Sequence, residues 1–524
     1  MVKEIWLVSR ELGGWAEAGG IKDVVRDQAD SFPRIGWKTH VVLPLYGFLR
    51  ERVESAGRRV WQGTSRHPSR KVALAAWIVE DNNHFIHFLD SPSFQDKASL
   101  YTYSAEDETR NPMNVRGAGY ADGFVMNLEF QWAVATYWAA TDAQPSFVLG
   151  HDGHVGFLAG IAQTGVSFHG KFNSTTFALL LHNAGPGYRQ EMEATAAHEE
   201  LIGLPSAEAR SFVLDHKFDP IVAACRHGRL ATVSENYADE LMTGRNDHWS
   251  GPFGRWLRSS GTHLTGITNG ITTEDKDPRN PEAARLPVGF DPLSGDWTGK
   301  AICRRFLREK LLLRPYSVHG RLTRWNDTLY VMQGRLTAQK GVDALIELTT
   351  RALREKPQAA FLIMAQGEKS YEERLIHLAR DAVETGRFLF VNKFEHSLAQ
   401  LVFASGDFFL MPSEYEPCGL TDLKAQLMGT LPIVHRVGGL VKVVDGETGF
   451  SYTKNKAGGL WGAFERSLHV WENQPDKMLL MRKQAFLKVV DDFQWVKILE
   501  KKYLPWLTEP AQVSYPHKAL ANLA

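Results

Sequence analysis

The sequence predicts an α/β protein made of two doubly wound units. Three observations carry this. Short apolar or β-branched runs alternate with helical patterns through the first half, an aperiodic stretch rich in proline, glycine and charge follows at residues 273–299, and the alternation then restarts. The runs at 4–9, 40–43, 73–79, 84–89, 147–150 and 175–181 predict the strands of a first parallel sheet wrapped by helices. Residues 273–299 read as a linker, and 299–313 as a helix. Strands are predicted again at 328–332, 360–365, 387–391, 407–411 and 431–434, each followed by a helix-like stretch. The aromatic segment 483–507, with Phe486, Phe493, Trp495, Tyr503 and Trp506, predicts one or two helices packed on a domain surface. The expected division is therefore 1–298, 299–485 and a helical segment, 486–524, packing back on the first domain.

A chain of 524 residues suits several folding units, because one domain usually takes about 100–200 residues. Hydrophobic residues at 44% and charged residues at 23% exclude wholesale disorder. Lysine plus arginine number 60 and aspartate plus glutamate 60, so no global field attracts nucleic acid or anionic lipid. Cys225, Cys303 and Cys418 are far apart and lack metal-type spacing, which fits a reduced compartment without a disulfide framework or zinc cluster. The first residues lack the apolar core of a secretion signal, and no run approaches the roughly 20 apolar residues of a membrane span. A soluble cytoplasmic protein is expected.

Chemistry-bearing residues gather at predicted strand ends. After the strand at 407–411, a loop presents Glu414 and Glu416 before a helix near Gly419 or Leu420, which is where ligands sit in open parallel sheets. Glu416 equally suits a helix N-terminus. Arg335 and Lys340 flank the turn after 328–332 and are two cations suited to a diphosphate leaving group, or two solvated surface charges. Gly19-Gly20 and Gly438-Gly439 each follow a strand and precede apolar periodicity; such pairs let N–H groups approach phosphate, and also serve tight turns. His151, Asp152, His154 and His182 converge on the ends of the strands at 147–150 and 175–181. Without an i,i+4 histidine pair, hydrogen bonding to a sugar ranks above metal ligation.

Together, AGGIKDVV, VVLPLY, GHDGH, LLLHNAG, GITNGI, GRLTAQKG, MPSEYEPCGLTDL, LPIVHRVGGL and GETGF, in this order over nearly the whole chain, resemble the bacterial glycogen synthase and plant starch synthase family. That resemblance implies a retaining glucosyltransferase of GT-B architecture, with two Rossmann-like domains facing across a cleft. It implies ADP-glucose as donor, the non-reducing end of an α-1,4-glucan as acceptor, and no nucleic-acid or membrane partner. Carried over residue by residue, Arg335 and Lys340 would hold the pyrophosphate and Glu416 would contact the transferring glucose, with Cys418, Gly419 and Leu420 lining its pocket. His182 would hydrogen-bond near the reacting carbon. Asp152 and His154 would shape the acceptor side, Phe394 would stack on the base, and Asn269 would support the site from the first domain. Gly19, Gly20, Gly438 and Gly439 would face the donor. No metal and no cofactor besides the sugar nucleotide are implied.

The chain departs from the family pattern at several of these places. Glu17 stands where the family carries a donor-site lysine, Gly153 where an aromatic is usual, Val437 in place of a hydroxyl, and Thr272 where an acid follows Asn-Gly. Two unit charges at ~4 Å and an effective dielectric near 20 interact with about 4 kcal/mol, so a carboxylate at position 17 facing a diphosphate would oppose binding. Three readings follow: a glucan synthase with a re-tuned site, a related transferase with another donor or acceptor, and a glucan-binding or regulatory relative without turnover.

Overall fold

The computed structural model describes residues 3–245, 247–313, 317–393, 395–453 and 457–509. The chain forms two compact units: the first runs to Thr268 and resumes at Trp495, and the second is Asn269–Gln494.

The first unit is built on a nine-stranded sheet. In spatial order its strands are Thr265–Gly266, Arg229–Thr232, Thr176–Leu181, Phe147–His151, Glu4–Val8, Lys38–Pro44, His84–Asp90, Ala73–Asp81 and Arg58–Thr64. Pairing is parallel up to His84–Asp90, and the last two strands run antiparallel. Strands buried on both faces need apolar residues at consecutive positions, and Ile5, Leu7 and Val8 are wholly buried. The helix Gly123–Ala140 is apolar nearly all round and correspondingly buried along most of its length. The strands stay parallel, but the order in which they are added reverses at Glu4–Val8, which lies between Lys38–Pro44 on one side and Phe147–His151 on the other. This switch point places the loops after Val8 and after His151 side by side.

The second unit has a seven-stranded sheet in the order Val318–Leu322, Arg387–Val391, Ala359–Gly367, Thr328–Leu336, Phe408–Met411, Leu431–His435 and Phe450–Tyr452. Its first strand is antiparallel to its neighbour and the rest are parallel. Side chains alternate between two cores: Tyr330, Met332, Phe361 and Ile363 pack on one face, and Leu329, Val331, Ala360 and Leu362 on the other. The switch point lies between Thr328–Leu336 and Phe408–Met411, so the loops after these two strands are neighbours.

The expected boundary at 298/299 lies instead at Thr268/Asn269. Residues 273–299 are no free linker, because Ala284, Leu286 and Phe290 are buried with Cys303, Leu307 and Leu311 of the helix Thr298–Leu313. That helix is fastened to the second unit by buried polar contacts. Lys300 Nζ donates to the Met428 carbonyl (2.9 Å) and Thr430 Oγ1 (2.7 Å), and Arg304 pairs with Asp407 at 2.8 Å. The helix Pro475–Asp492 also counts with the second unit, whereas the segment from Trp495 joins the first: Trp495 Nε1 donates to Asp27 (3.0 Å) and Arg229 to the Trp506 carbonyl (2.5 Å). Among the described residues no helix is long and apolar enough to cross a membrane.

Candidate active site

In the second unit the strand Thr328–Leu336 runs past its predicted end, so Arg335 projects from the strand itself and is exposed. A 3-10 turn at Ala338–Lys340 follows, and Gly341 opens the helix Val342–Glu355. Gly341 has φ +68°, and a Cβ there would collide with the Pro412 carbonyl, so glycine is what lets the two switch-point loops touch. Gln339 locks them together by accepting the Glu414 N–H (2.9 Å) and donating to the Tyr415 carbonyl (3.1 Å). The contact brings Lys340 Nζ to 2.5 Å from Glu416 Oε2, which also accepts from Ser413 Oγ at 3.0 Å. Two groups 76 residues apart thus form a charge-assisted pair at the end of the central strands.

The loop 413–419 is clamped from its other side by the second glycine pair. A Cβ on Gly438 would strike the Glu416 carbonyl, and one on Gly439 the Cys418 carbonyl. The Gly439 N–H donates to the Glu416 carbonyl at 3.0 Å, so the protein itself uses this donor. Lys442 extends the clamp: its Nζ lies 2.7 Å from the Cys418 and Gly419 carbonyls, 2.9 Å from that of Gly439 and 3.1 Å from Asp422. Asp422 is fully buried, and burial pushes its pKa up to about 6 against the pull of Lys442. Burial likewise raises the Cys418 thiol to about 11. Neither Lys442 nor Asp422 was singled out in the sequence. The signal was present in two charged residues within otherwise apolar stretches, LTDL and GGLVKVV.

Asn269 belongs to this second unit and not, as expected, to the first. It is buried near the Cys418 thiol, and its Oδ1 has no protein hydrogen-bond partner among the described residues. Leu420 forms the N-cap of the helix Thr421–Leu427. Phe394 lies outside the described residues.

In the first unit, the loops after Glu4–Val8 and Phe147–His151 carry a buried polar network. Glu11 is 2% exposed; its carboxylate accepts the Gly19 N–H (2.7 Å) and the Tyr101 hydroxyl (2.8 Å). Tyr101 stacks on His154, with centroids 5.0 Å apart. The adjacent Arg10 guanidinium is also buried and donates to Asn127 Oδ1 (2.8 Å), Tyr46 (3.0 Å) and the Leu100 carbonyl (2.6 Å). None of Arg10, Glu11 and Tyr101 was predicted, because nothing local in SRELGG or YTYS marks a side chain that finds its partners some 90 residues away.

Asp152 holds φ +59°, a conformation that costs a non-glycine residue energy and persists only where the surroundings hold it. Its carboxylate accepts the His182 N–H at 2.6 Å, and His151 Nδ1 meets His182 Nε2 at 3.0 Å. Three predicted residues, His182, Asp152 and His154, are thereby assembled on neighbouring loops. Burial raises Asp152 to about 8, opposed by the amides of His182 and Asn183, and lowers His182 to about 3. His151 and His154 are held well below the usual imidazole range by burial. Asp152 and His154 are themselves buried, at 1% and 7% exposure, so they shape this edge from beneath.

The first glycine pair differs physically from the second. A Cβ on Gly20 would meet nothing within 4 Å, and one on Gly19 only the Glu11 carboxylate at ordinary contact distance. Protein packing does not require glycine at either position. Glu17 turns back to accept the Gly14 N–H at 2.6 Å, with Lys22 Nζ at 4.0 Å. Its charge is therefore engaged locally. Among the described residues no group of three or more His, Cys, Asp and Glu side chains could hold a metal ion.

Comparison with known proteins adds the family. A model of the starch synthase catalytic domain matches residues 4–254, and one of group 1 glycosyl transferases matches 327–469. The glycogen synthase of Aeromonas hydrophila is 28% identical over 496 residues, covering 92% of this chain and 94% of the relative. That of Vibrio cholerae is 27% identical over 506 residues, covering 94% and 96%. The chain is therefore similar to glycogen synthases over nearly its whole length and carries the starch synthase catalytic domain match in its first half. These likenesses make it a hexosyltransferase. Its fold is similar to that of the catalytic domain of starch synthase IV from Arabidopsis thaliana bound to ADP and acarbose (TM-score 0.77, 20% identity, covering 97% and 99% of the two chains). Sucrose-phosphate synthase from Thermosynechococcus elongatus shares it more distantly (TM-score 0.55, 15% identity, covering 96% and 98%). The two Rossmann-like units are thus those of a GT-B glycosyltransferase.

Proposed function

We propose that the chain transfers glucose from ADP-glucose to the 4-hydroxyl at the non-reducing end of an α-1,4-glucan, with retention at the anomeric carbon. The observation that carries the reading is the pairing of Lys340 with Glu416 at the switch point of the second unit. In this reading Lys340 and Arg335 meet the diphosphate, whose negative charge grows as its bond to glucose breaks, and fixed cations stabilise what develops there. Glu416, held by Lys340 and Ser413, contacts the glucose being transferred. Cys418, Gly419 and Leu420 line its pocket, and His182 hydrogen-bonds near the reacting carbon. Departing phosphate takes the proton of the incoming hydroxyl, so no second carboxylate is needed. Support for the donor and acceptor comes from the starch synthase relative, which binds ADP and acarbose. Gly20 is the glycine whose surroundings leave room for a phosphate beside an N–H, whereas Gly438 and Gly439 hold the Glu416 loop.

The test supplies purified protein with glycogen and either radiolabelled ADP-glucose or UDP-glucose. Incorporation from ADP-glucose supports the reading. Incorporation only from another donor or into another acceptor identifies a related transferase, and glycogen binding without turnover of either donor identifies a non-catalytic relative.

A further inference from the structure

The turn that carries Asp152 and His154 is gripped by two backbone segments from elsewhere in the first unit. A Cβ on Gly153 would collide with the Arg189 carbonyl, and one on Gly156 with the Pro220 carbonyl. Both segments therefore lie at closest contact with the turn, on glycines three positions apart. They are also tied to each other. The Arg189 guanidinium, 3% exposed, pairs with Asp219 at 3.1 Å, lies 3.6 Å from Glu191, and stacks over Phe253 at 5.3 Å. Asp219, 1% exposed, uses its other oxygen to cap the helix Pro220–His227 through the N–H groups of Ile221 (2.9 Å) and Val222 (3.4 Å). A further bond, from Asn127 Nδ2 to Gln190 Oε1 (3.1 Å), joins the same segment to the residue that receives Arg10.

A buried ion pair whose partners hold opposite jaws of one turn fixes that turn more tightly than either jaw alone, because moving either would leave a charge buried without its partner. From this turn the geometry passes through the Asp152 carboxylate to the His182 backbone, and through the His151 ring to the His182 ring. We propose that Arg189 and Asp219 are positioning residues for glucosyl transfer: their ion pair, closing over Gly153 and Gly156, sets the Asp152–His182 geometry on the acceptor side of the first unit. Gly153 is part of the same device, since any side chain there would force the Arg189 backbone off the turn. The inference rests on the proposed function for its kinetic consequence, and on the first unit's geometry alone for its structural one.

Asp219→Asn is the cleanest variant, because asparagine still caps a helix while losing the charge that holds Arg189. Two readouts apply. In the transfer assay, Asp219→Asn and Arg189→Met are each expected to lower kcat by about tenfold or more and to raise the acceptor KM, as for a misplacement of groups beside the reacting carbon. Arg189→Lys should recover part of the loss. In hydrogen exchange, Asp219→Asn should speed exchange at 152–156 and 182–183 while the amides of residues 221–227 keep their protection. Unchanged exchange at 152–156 and 182–183 overturns the inference, whether or not the wild-type protein transfers glucose. A folded Asp219→Asn protein with wild-type kcat and acceptor KM also overturns it. Failure of the wild-type protein to transfer glucose counts against the proposed function instead, and the exchange result then decides the inference.

Discussion

Lys340 Nζ sits 2.5 Å from the Glu416 carboxylate, joining the loops after the two central strands of the second unit. If the ammonium both orients Glu416 and meets the departing diphosphate, Lys340→Ala should lower transfer by about 10²-fold or more, the scale of losing a fixed oxyanion donor. Arg335→Ala should fall similarly. Steady-state incorporation into glycogen measures both, and full activity in both variants would remove the cationic clamp.

The two glycine pairs should respond oppositely to alanine. Gly438→Ala drives a methyl into the Glu416 carbonyl, so both stability and transfer should fall. Gly20→Ala meets only open space, so its melting temperature should stay put while the donor KM rises, because the methyl intrudes where phosphate approaches the helix start. Melting curves paired with donor titrations separate the cases. A Gly20→Ala enzyme with unchanged donor KM would show that phosphate does not approach there.

Glu17→Lys is expected to leave the donor KM within about twofold. The carboxylate is spent on the Gly14 N–H, and its loss should cost about 0.5–1.5 kcal/mol, the usual worth of one hydrogen bond. Tightening of the donor by tenfold would mean that position 17 faces the phosphates after all.

Acid should destabilise the first unit. His40 and His182 are held at about 3 by burial, and His87, His151 and His154 well below 6.5 by the same cause. Folded values lie below the unfolded one, so the stability these neutral rings contribute is fully present above about pH 6.5 and is lost as the pH falls toward 3. Asp152 has the opposite sign: raised to about 8 from 3.8, it favours folding at low pH and loses that contribution as the pH rises through 8. With His67 also lowered and Asp219 also raised by burial, six rings outweigh two carboxyls, so the melting temperature should drop between pH 7 and pH 5. A flat profile would show that the rings titrate without unfolding.

Much of this architecture was legible because strand and helix periods are local. The run ALAAWIVED and the turn GRLTAQKG announce their structure within ten residues, and Lys340 and Glu416 are each legible beside a strand end. What stayed hidden was long-range. Residues 273–299 look like a linker until Phe290 is seen buried beside Cys303, and Asn269 looks like the end of one domain until it is found beside Cys418. Gly438-Gly439 resembles a phosphate turn in sequence, yet the Gly439 N–H and the missing Cβ atoms serve the Glu416–Cys418 backbone. Glu17 resembles a repulsive charge until its partner, Gly14, is seen three residues earlier. Charged residues whose partners lie far along the chain, such as Glu11 and Lys442, leave no local period to read.

The most direct measurement follows radiolabelled glucose from ADP-glucose into glycogen, comparing the wild-type protein with Glu416→Gln and digesting the product with an enzyme specific for α-1,4 links. We expect label from the wild-type protein to be released by that digestion, and incorporation by Glu416→Gln to fall by about 10²-fold. No incorporation by the wild-type protein, label resistant to digestion, or undiminished transfer by Glu416→Gln would contradict the account.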